Sequence, residues 1–433
     1  MSKPKTRWIV IFVILVALQF LALGYSSSPD LTVTEGLDKS DTAWLLVATA
    51  MVLFMTPGLS FFYGGMVSVK NVISTMLQSF IALGIISLLW FVVGFSLAFG
   101  DSIGGFIGNP ATFFAFRNVG LGVHPALSPT VPLMLFAFFQ LKFAIITPAL
   151  ITGSFAERVK FTSYLIFMCL FSILIYAPLA HWTWHPDGFL RKLGVLDFAG
   201  GTVVHMSAGF AALAGAFILG KRENNFHMPA NIPFIILGTG MLWFGWFGFN
   251  AGSALSSSTL AVLAFGTTNM AAASALITWV MFDALVGRKI TAMSACIGAV
   301  VGLVAITPAA GFVTIGQSVF IGFAAAIISN LAVYYRQKTS LDDTLDVFPC
   351  HGVGGITGMI LTAVFAKDVG LVYGQYTTFL YHLLALVIVG VFSFGGSYLV
   401  FKITSAIISL RVSPEEEKQG LDISQHQESL QTV

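Results

Sequence analysis

The stretch Leu196-Asp-Phe-Ala-Gly-Gly-Thr-Val-Val-His205-Met-Ser-Ala-Gly209-Phe-Ala-Ala212-Leu-Ala-Gly-Ala-Phe-Ile-Leu219 holds no Asp, Glu, Lys or Arg after Asp197. A helix over 198–219 at about 1.5 Å per residue reaches about 33 Å, enough to cross a hydrocarbon core of about 30 Å. Its single ionisable side chain, His205, would then lie where such groups are costly and mark function by default.

The rest of the chain reads the same way. Of 433 residues, 57% are hydrophobic and 9% charged, against roughly 25% charged in soluble chains. Soluble enzymes, nucleic-acid binders and disordered chains are excluded. With a net charge of +2, no basic cluster is dense enough to hold phosphate backbones. Cys169, Cys296 and Cys350 lie in or beside apolar runs without Cys-x-x-Cys spacing and read as packing residues.

The first apolar run, Trp8 to Leu23, follows the basic start Lys3, Lys5, Arg7 and ends on small residues. It reads as a cleaved signal peptide over 1–24. Eleven further runs are placed at 44–66, 72–99, 131–151, 162–183, 198–219, 232–251, 259–286, 290–306, 312–335, 348–366 and 376–409. The expected fold is an all-α polytopic membrane protein with eleven transmembrane helices, since hydrocarbon offers backbone groups no partner and no alternating barrel strands are visible. The transmembrane domain spans 25–409, with a long loop at 100–130 and a polar tail at 410–433.

An odd number of crossings after an external mature N-terminus puts the tail in the cytoplasm. Loops then expected inside hold nine basic residues (Lys70, Arg158, Lys160, Lys221, Arg222, Arg288, Lys289, Arg336, Lys338). Those outside hold five (Lys39, Arg117, Arg191, Lys192, Lys367). The bias agrees with the positive-inside rule.

The fifth and tenth runs share a pattern. Leu196-Asp197 precedes His205, with Gly209 and Ala212 following at i+4 and i+7; Leu345-Asp346 precedes His351, with Gly355 and Gly358 following. Each histidine heads a stripe of small residues that admits a close neighbour helix. Five runs in each half give an inverted 5+5 repeat with the last run added, and such repeats place their site where the halves meet. A lone histidine could simply bond a neighbouring helix; two at matching positions point to function.

Other groups read less sharply. Phe139 and Phe143, four apart, share a helix face, but among 41 phenylalanines the pair alone reads as packing. Trp184 ends a run where tryptophan anchors are expected. Trp246, Phe247 and Phe249 give way to Asn250-Ala-Gly-Ser253, which suits a cavity as well as a core. Asp197 is placed to cap a helix and to draw a cation. Asp283 beside Arg288 and Lys289 reads as an ion-pair partner. His181 and His185 have i, i+4 spacing, but Pro186-Asp-Gly188 breaks the helix and no carboxylate completes a zinc motif, so neither metal nor cofactor is expected.

Taken together, the chain resembles the ammonium transporter family (Amt/Mep/Rh), of bacterial Amt type, from about Asp41 to Glu428. The segments that carry the resemblance are Pro57-Gly58-x4-Tyr63-Gly64-Gly65, Ala156-Glu157-Arg158, Asp197-Phe-Ala-Gly-Gly-Thr-Val-Val-His205, Trp246-Phe-Gly-Phe249-Asn-Ala-Gly-Ser253 and Asp346-Val-Phe-Pro-Cys-His351-Gly-Val. It implies a homotrimer with one path per protomer in the inner membrane. Phe139, Trp184 and Ser253 fall on an external ammonium recruitment site supported by Asp197. Phe143 and Phe249 fall on a stacked gate, and His205 and His351 on a pore pair. Gly420-Leu-Asp422-x3-His426 is similar to the family's cytoplasmic regulatory segment, which a PII-type protein contacts in some members. Two positions depart from the pattern: Lys142 precedes Phe143, and Gln427 stands where glycine is usual.

The implied activity is a transporter, not an enzyme. It concentrates NH4+ at the aromatic site, removes a proton and conducts NH3 past the phenylalanines and histidines, with separate H+ transfer as an open option. Rival readings are an ammonium sensor with little flux and a neutral-gas channel in which the aromatic site is idle. An intramembrane enzyme is disfavoured, since no Ser/His pair or metal set recurs at useful spacing.

Overall fold

With no water to satisfy N–H and C=O groups, an apolar run is driven to close its own hydrogen bonds as helix. In a computed structural model, which describes residues 6–25, 35–224 and 228–430, the runs do so. Lys3 and Lys5 of the basic start, and residues 431–433 of the tail, lie outside the described residues.

The helices are α1 Thr6–Tyr25, α2 Lys39–Met66, α3 Val69–Phe99, α4 Leu133–Phe155, α5 Phe161–Lys192, α6 Gly201–Leu219, α7 Ile232–Gly252 and α8 Thr259–Leu285. They continue with α9 Ala292–Ile306, α10 Ile315–Gln337, α11 Phe348–Phe365 and α12 Tyr376–Ile407, and a short tail helix, α13 Pro414–Gln419. Among the described residues ten helices are long and apolar enough to cross a membrane. The eighth expected run is the exception: α9 has 15 residues, about 22 Å of helix. The chain is a multi-pass helical membrane protein. The 20 residues of α1 expose Phe12, Phe20 and Leu23.

One expectation needs correction. The 100–130 loop does contain short strands: β1 Ser102–Ile103 pairs antiparallel with β2 Ile107–Gly108, and β3 Val123–His124 with β4 Ser128–Pro132. All but the last two residues of β4, Val131 and Pro132, precede the apolar run at 131–151, and the pairings lead directly into α4.

The two halves are joined by close backbone contact. α2 packs along α7, and a Cβ on Gly238 would stand 2.4 Å from the Phe62 nitrogen and 2.6 Å from the Gly58 oxygen. Such glycine crossings gain van der Waals contact where lipid supplies no hydrophobic drive. On the tail side a polar clasp does the same. Buried Arg158, between α4 and α5, donates to Thr344 Oγ1 (2.7 Å) and the Asp342 carbonyl (2.6 Å). Arg222 bridges Glu157 and Asp342 at 2.8 and 2.9 Å. Asp283 is bound by Arg288 at 2.9 Å, the ion pair the sequence suggested, and also by Asn330.

Candidate functional site

Both conspicuous histidines stand on π-helical turns at the start of their helices: His205 on Gly201–Met206 and His351 on Phe348–Val353. Such turns widen the helix locally and recur at functional sites. Each turn is anchored at its N-terminal end by a buried carboxylate. Asp197 Oδ1 accepts from the Gly200 and Gly201 amides (2.8 and 2.6 Å), and Oδ2 from the Thr202 amide (2.7 Å) and hydroxyl. In the other half Asp343 accepts from the Val347 and Phe348 amides at 3.1 and 2.7 Å.

This revises the sequence alignment of the repeat. Asp197 matches Asp343, not Asp346, because both caps lie eight residues before their histidine. The equal spacing was the legible signal; the adjacent Leu-Asp pairs obscured it.

The small residues after each histidine bring the helices together. A Cβ on Gly209 would lie 2.3 Å from the Gly352 nitrogen and Cα, and one on Gly358 2.3 Å from the Ala305 carbonyl. The imidazoles thereby meet, Nδ1 to Nδ1, at 3.3 Å, with ring centroids 5.4 Å apart. One Nδ1 must carry the hydrogen and the other accept it. The two rings therefore hold opposite tautomers when neutral, and the pair presents one Nε2 acceptor and one Nε2–H donor. The buried Nε2 of His205 has no protein partner.

Aromatic rings cover the pair. Phe249 lies 6.1 Å and Trp246 5.4 Å from the His205 ring, and Trp246 is fixed by its indole N–H to Thr307 Oγ1 (2.9 Å). Phe143 and Phe249 are 4.3 Å apart and Phe143 meets Trp184 at 5.6 Å, edge to face. Beyond them, on the side of the 100–130 loop, a cavity of about 500 Å³ is lined by Gln140, Phe143, Trp184, Asp197, Ser253 and Phe312 among others. The Trp184 N–H is donated to the Asp197 carbonyl (3.2 Å), and Trp184 lines the cavity with that N–H already committed. Ser253 Oγ donates to the Phe249 carbonyl (2.8 Å), a bond that leaves its oxygen lone pairs unused.

Phe139 is fully buried, edge-on to Phe143 at 5.0 Å and against Gly252, and does not line that cavity. Lys142 is half-buried with its Nζ 5.9 Å from the Phe138 ring, away from the cavity walls. His181 and His185 stack at 4.4 Å; His181 engages the Ser102 hydroxyl and the Ala98 carbonyl, so it serves packing. Sequence reasoning missed Gln140 in the cavity wall, Trp246 beside His205, and the Asp343 cap.

On the tail side of the histidines a void of about 10 Å³ is bounded by Tyr63, Cys350 and His351, the size of about one water. Past it the tail closes over the clasp. Asp422 accepts from the Ile73 and Ser74 amides (3.1 and 2.8 Å), and Leu421 N–H donates to Asn71 Oδ1 (2.7 Å). Lys70 Nζ donates to the Glu417 and Lys418 carbonyls, and Arg411 pairs with Glu417 at 2.7 Å.

Helices long and apolar enough to cross a membrane, packed around a ring-covered histidine pair, define a polytopic membrane protein. Comparison with known proteins gives the family. Residues 43–430 match the model of the Ammonium Transporter Family, and the chain belongs to it. It is 45% identical over 400 residues to an ammonium transporter of Aquifex aeolicus, covering 90% of this chain and 93% of that protein. With an ammonium transporter of Bacillus subtilis the identity is 41% over 403 residues, covering 90% and 98%. Among solved structures, Saccharomyces cerevisiae Mep2 superposes with a TM-score of 0.83 at 35% identity, covering 88% of this chain and 89% of that one. A structure titled Sensor Amt Protein gives 0.83 at 34%, covering 89% and 98%.

Proposed function

We propose that the protein carries ammonium across the inner membrane by stripping a proton from NH4+ and conducting NH3 past the two histidines. The observation that carries this reading is the buried 3.3 Å His205–His351 contact beneath the Phe143–Phe249 ring pair. An ion in so dry a passage faces a Born cost of tens of kcal/mol. A neutral amine does not, and the one-acceptor, one-donor face of the histidine pair matches a molecule that both donates and accepts.

Outside, the Trp184 face supplies a cation–π attraction of about 0.5–2 kcal/mol, with Phe139 one ring behind. The Ser253 lone pairs accept from N–H, and the Asp197 carboxylate adds negative field. Phe143 and Phe249 form the gate. The histidine pair can also relay the released proton.

This reading includes a signal peptide over 1–24, eleven crossings of an inverted 5+5 repeat plus α12, and a tail in the cytoplasm. It further includes a homotrimer and a regulatory tail that a PII-type protein can reach. A sensor role is the second reading, favoured by the docked tail and by the likeness to the Sensor Amt Protein.

The test is growth of an ammonium-uptake-deficient strain on limiting ammonium. The wild-type chain should rescue it, and His205→Ala and His351→Ala should not while still accumulating as folded membrane protein. Rescue by both variants with unchanged selectivity would remove the histidine pair from the path; no rescue by the wild type would favour the sensor.

A further inference from the structure

Asp346, paired with the histidine repeat in the sequence, is left without a role once Asp343 takes the cap. It stands five residues before His351, and its carbonyl accepts the Cys350 amide, so its backbone belongs to the turn that carries the histidine. Its φ is +56°, a left-handed conformation that costs most residues about 1–2 kcal/mol and that, after glycine, Asn and Asp tolerate best.

The side chain, 17% exposed, is gripped by Arg336 of α10, whose Nε lies 2.8 Å from Oδ1. It lines a cavity of about 410 Å³ at the tail-side mouth. That cavity shares the walls Met66, Ile297 and Leu345 with the one-water void bounded by His351. Asp346 is thus a carboxylate on a cavity that backs onto the void beneath His351.

We infer that Asp346 is the proton-exchange residue of the cytoplasmic mouth, accepting the proton relayed through the histidines and delivering it to emerging ammonia. In the first step the relay loses H+ and an O–H bond forms on the Asp346 carboxylate. In the second that O–H bond breaks, an N–H bond forms on NH3, and NH4+ leaves while Arg336 holds the regenerated carboxylate. No other reactant is needed.

The local charges suit an exchanger. Burial, opposed by Arg336 and reinforced by Asp343, holds the Asp346 carboxyl up at about 7, with Arg222 acting weakly in the lowering direction. Lys221 and Asp342 line the same cavity, Cys350 sits on the next turn, and the α2 and α9 walls are apolar there. Burial thus acts on the Asp346 carboxyl in the direction that favours taking up a proton, against the pull of Arg336.

The inference rests on the transport reading, and one experiment separates the two. Full-length protein is reconstituted into phosphatidylcholine–phosphatidylglycerol vesicles enclosing a pH dye. Ammonium-driven flux is read with equal pH on both faces, from about 5.5 to about 8.5. The ratio of wild-type to D346N flux should be near one in acid and rise about tenfold as pH passes about 7. Asn keeps the left-handed backbone and can still accept from Arg336, so a merely structural role predicts a flat ratio, which overturns the inference. If D346N is silent at every pH, D346E decides. Restored flux with a displaced pH step supports the exchanger, and a second silent variant overturns it. Absence of flux in the wild type would instead remove the transport reading itself.

Discussion

Asp197 and Asp343 each lie eight residues before one of the paired histidines and each accept amides at the start of the π turn that carries it. These charge-assisted bonds bind helix ends whose free N–H groups would otherwise be buried unsatisfied. Removing such a cap costs about 0.5–2 kcal/mol, and Asp197, with three amides and a hydroxyl, should lie at or above the upper end. Thermal unfolding in detergent should rank Asp197→Ala below Asp343→Ala, and both below wild type. Equal midpoints for all three would contradict the cap assignment.

Gly209 is the second point of leverage. Its hydrogen is all that fits against the Gly352 backbone, since a Cβ would lie 2.3 Å from N and Cα. Gly209→Ala must push α6 and α11 apart and lengthen the 3.3 Å histidine contact. Uptake should fall at least tenfold while the protein still inserts, and a structure of the variant should show the imidazoles separated.

Trp184 presents only its ring face to the cavity, because its N–H is committed to the Asp197 carbonyl. Trp184→Leu keeps the apolar bulk and loses the quadrupole, about 0.5–2 kcal/mol of cation binding. Half-saturation for ammonium or methylammonium should rise about 2- to 30-fold. An unchanged concentration dependence would exclude the aromatic site.

In the tail, Gln427 adopts φ +59°, where glycine carries no Cβ penalty. Gln427→Gly should relieve about 1 kcal/mol of local strain, offset in part by the greater freedom of glycine in a released tail. The expected outcome is slower proteolysis of the tail of the full chain; faster cleavage would place the greater effect in the released state.

The docked tail should also respond to acid. His426 is half-buried, with Nε2 3.2 Å from Ser74 Oγ and Phe161 edge-on at 4.9 Å. Burial lowers its pKa against the opposing pull of Asp422 and Glu428. A depressed folded pKa means docking is favoured fully above the free imidazole value of about 6.5 and weakens as pH falls below it. Asp422, raised by burial, acts in the opposite sense and regains docking strength at lower pH. Tail protection against protease should therefore drop between about pH 7 and about pH 5.5 in the wild type and not in His426→Gln.

Much of the fold follows from composition. Apolar runs such as 198–219 and 232–251 must be helices wherever hydrocarbon surrounds them, and the observed α6 and α7 begin and end within three residues of those bounds. The run at 290–306 is helical over Ala292–Ile306, two residues shorter at its start than its hydropathy suggests, because Thr291 caps the helix through the Ser294 amide. The strands in the 100–130 loop escaped notice because two-residue pairings have no periodicity to detect.

What the chain decided by itself was its solvent, its helices and the two histidines that no apolar run would carry without cause. Those are local properties, set by side-chain transfer energies and backbone hydrogen bonding. Which carboxylate caps which turn, that Phe139 retreats behind Phe143, and that Asp346 opens on the tail-side cavity were settled only when helices distant in sequence met. A π turn, a glycine crossing and a shared wall are relations between segments, and their energies exist only after the segments pack.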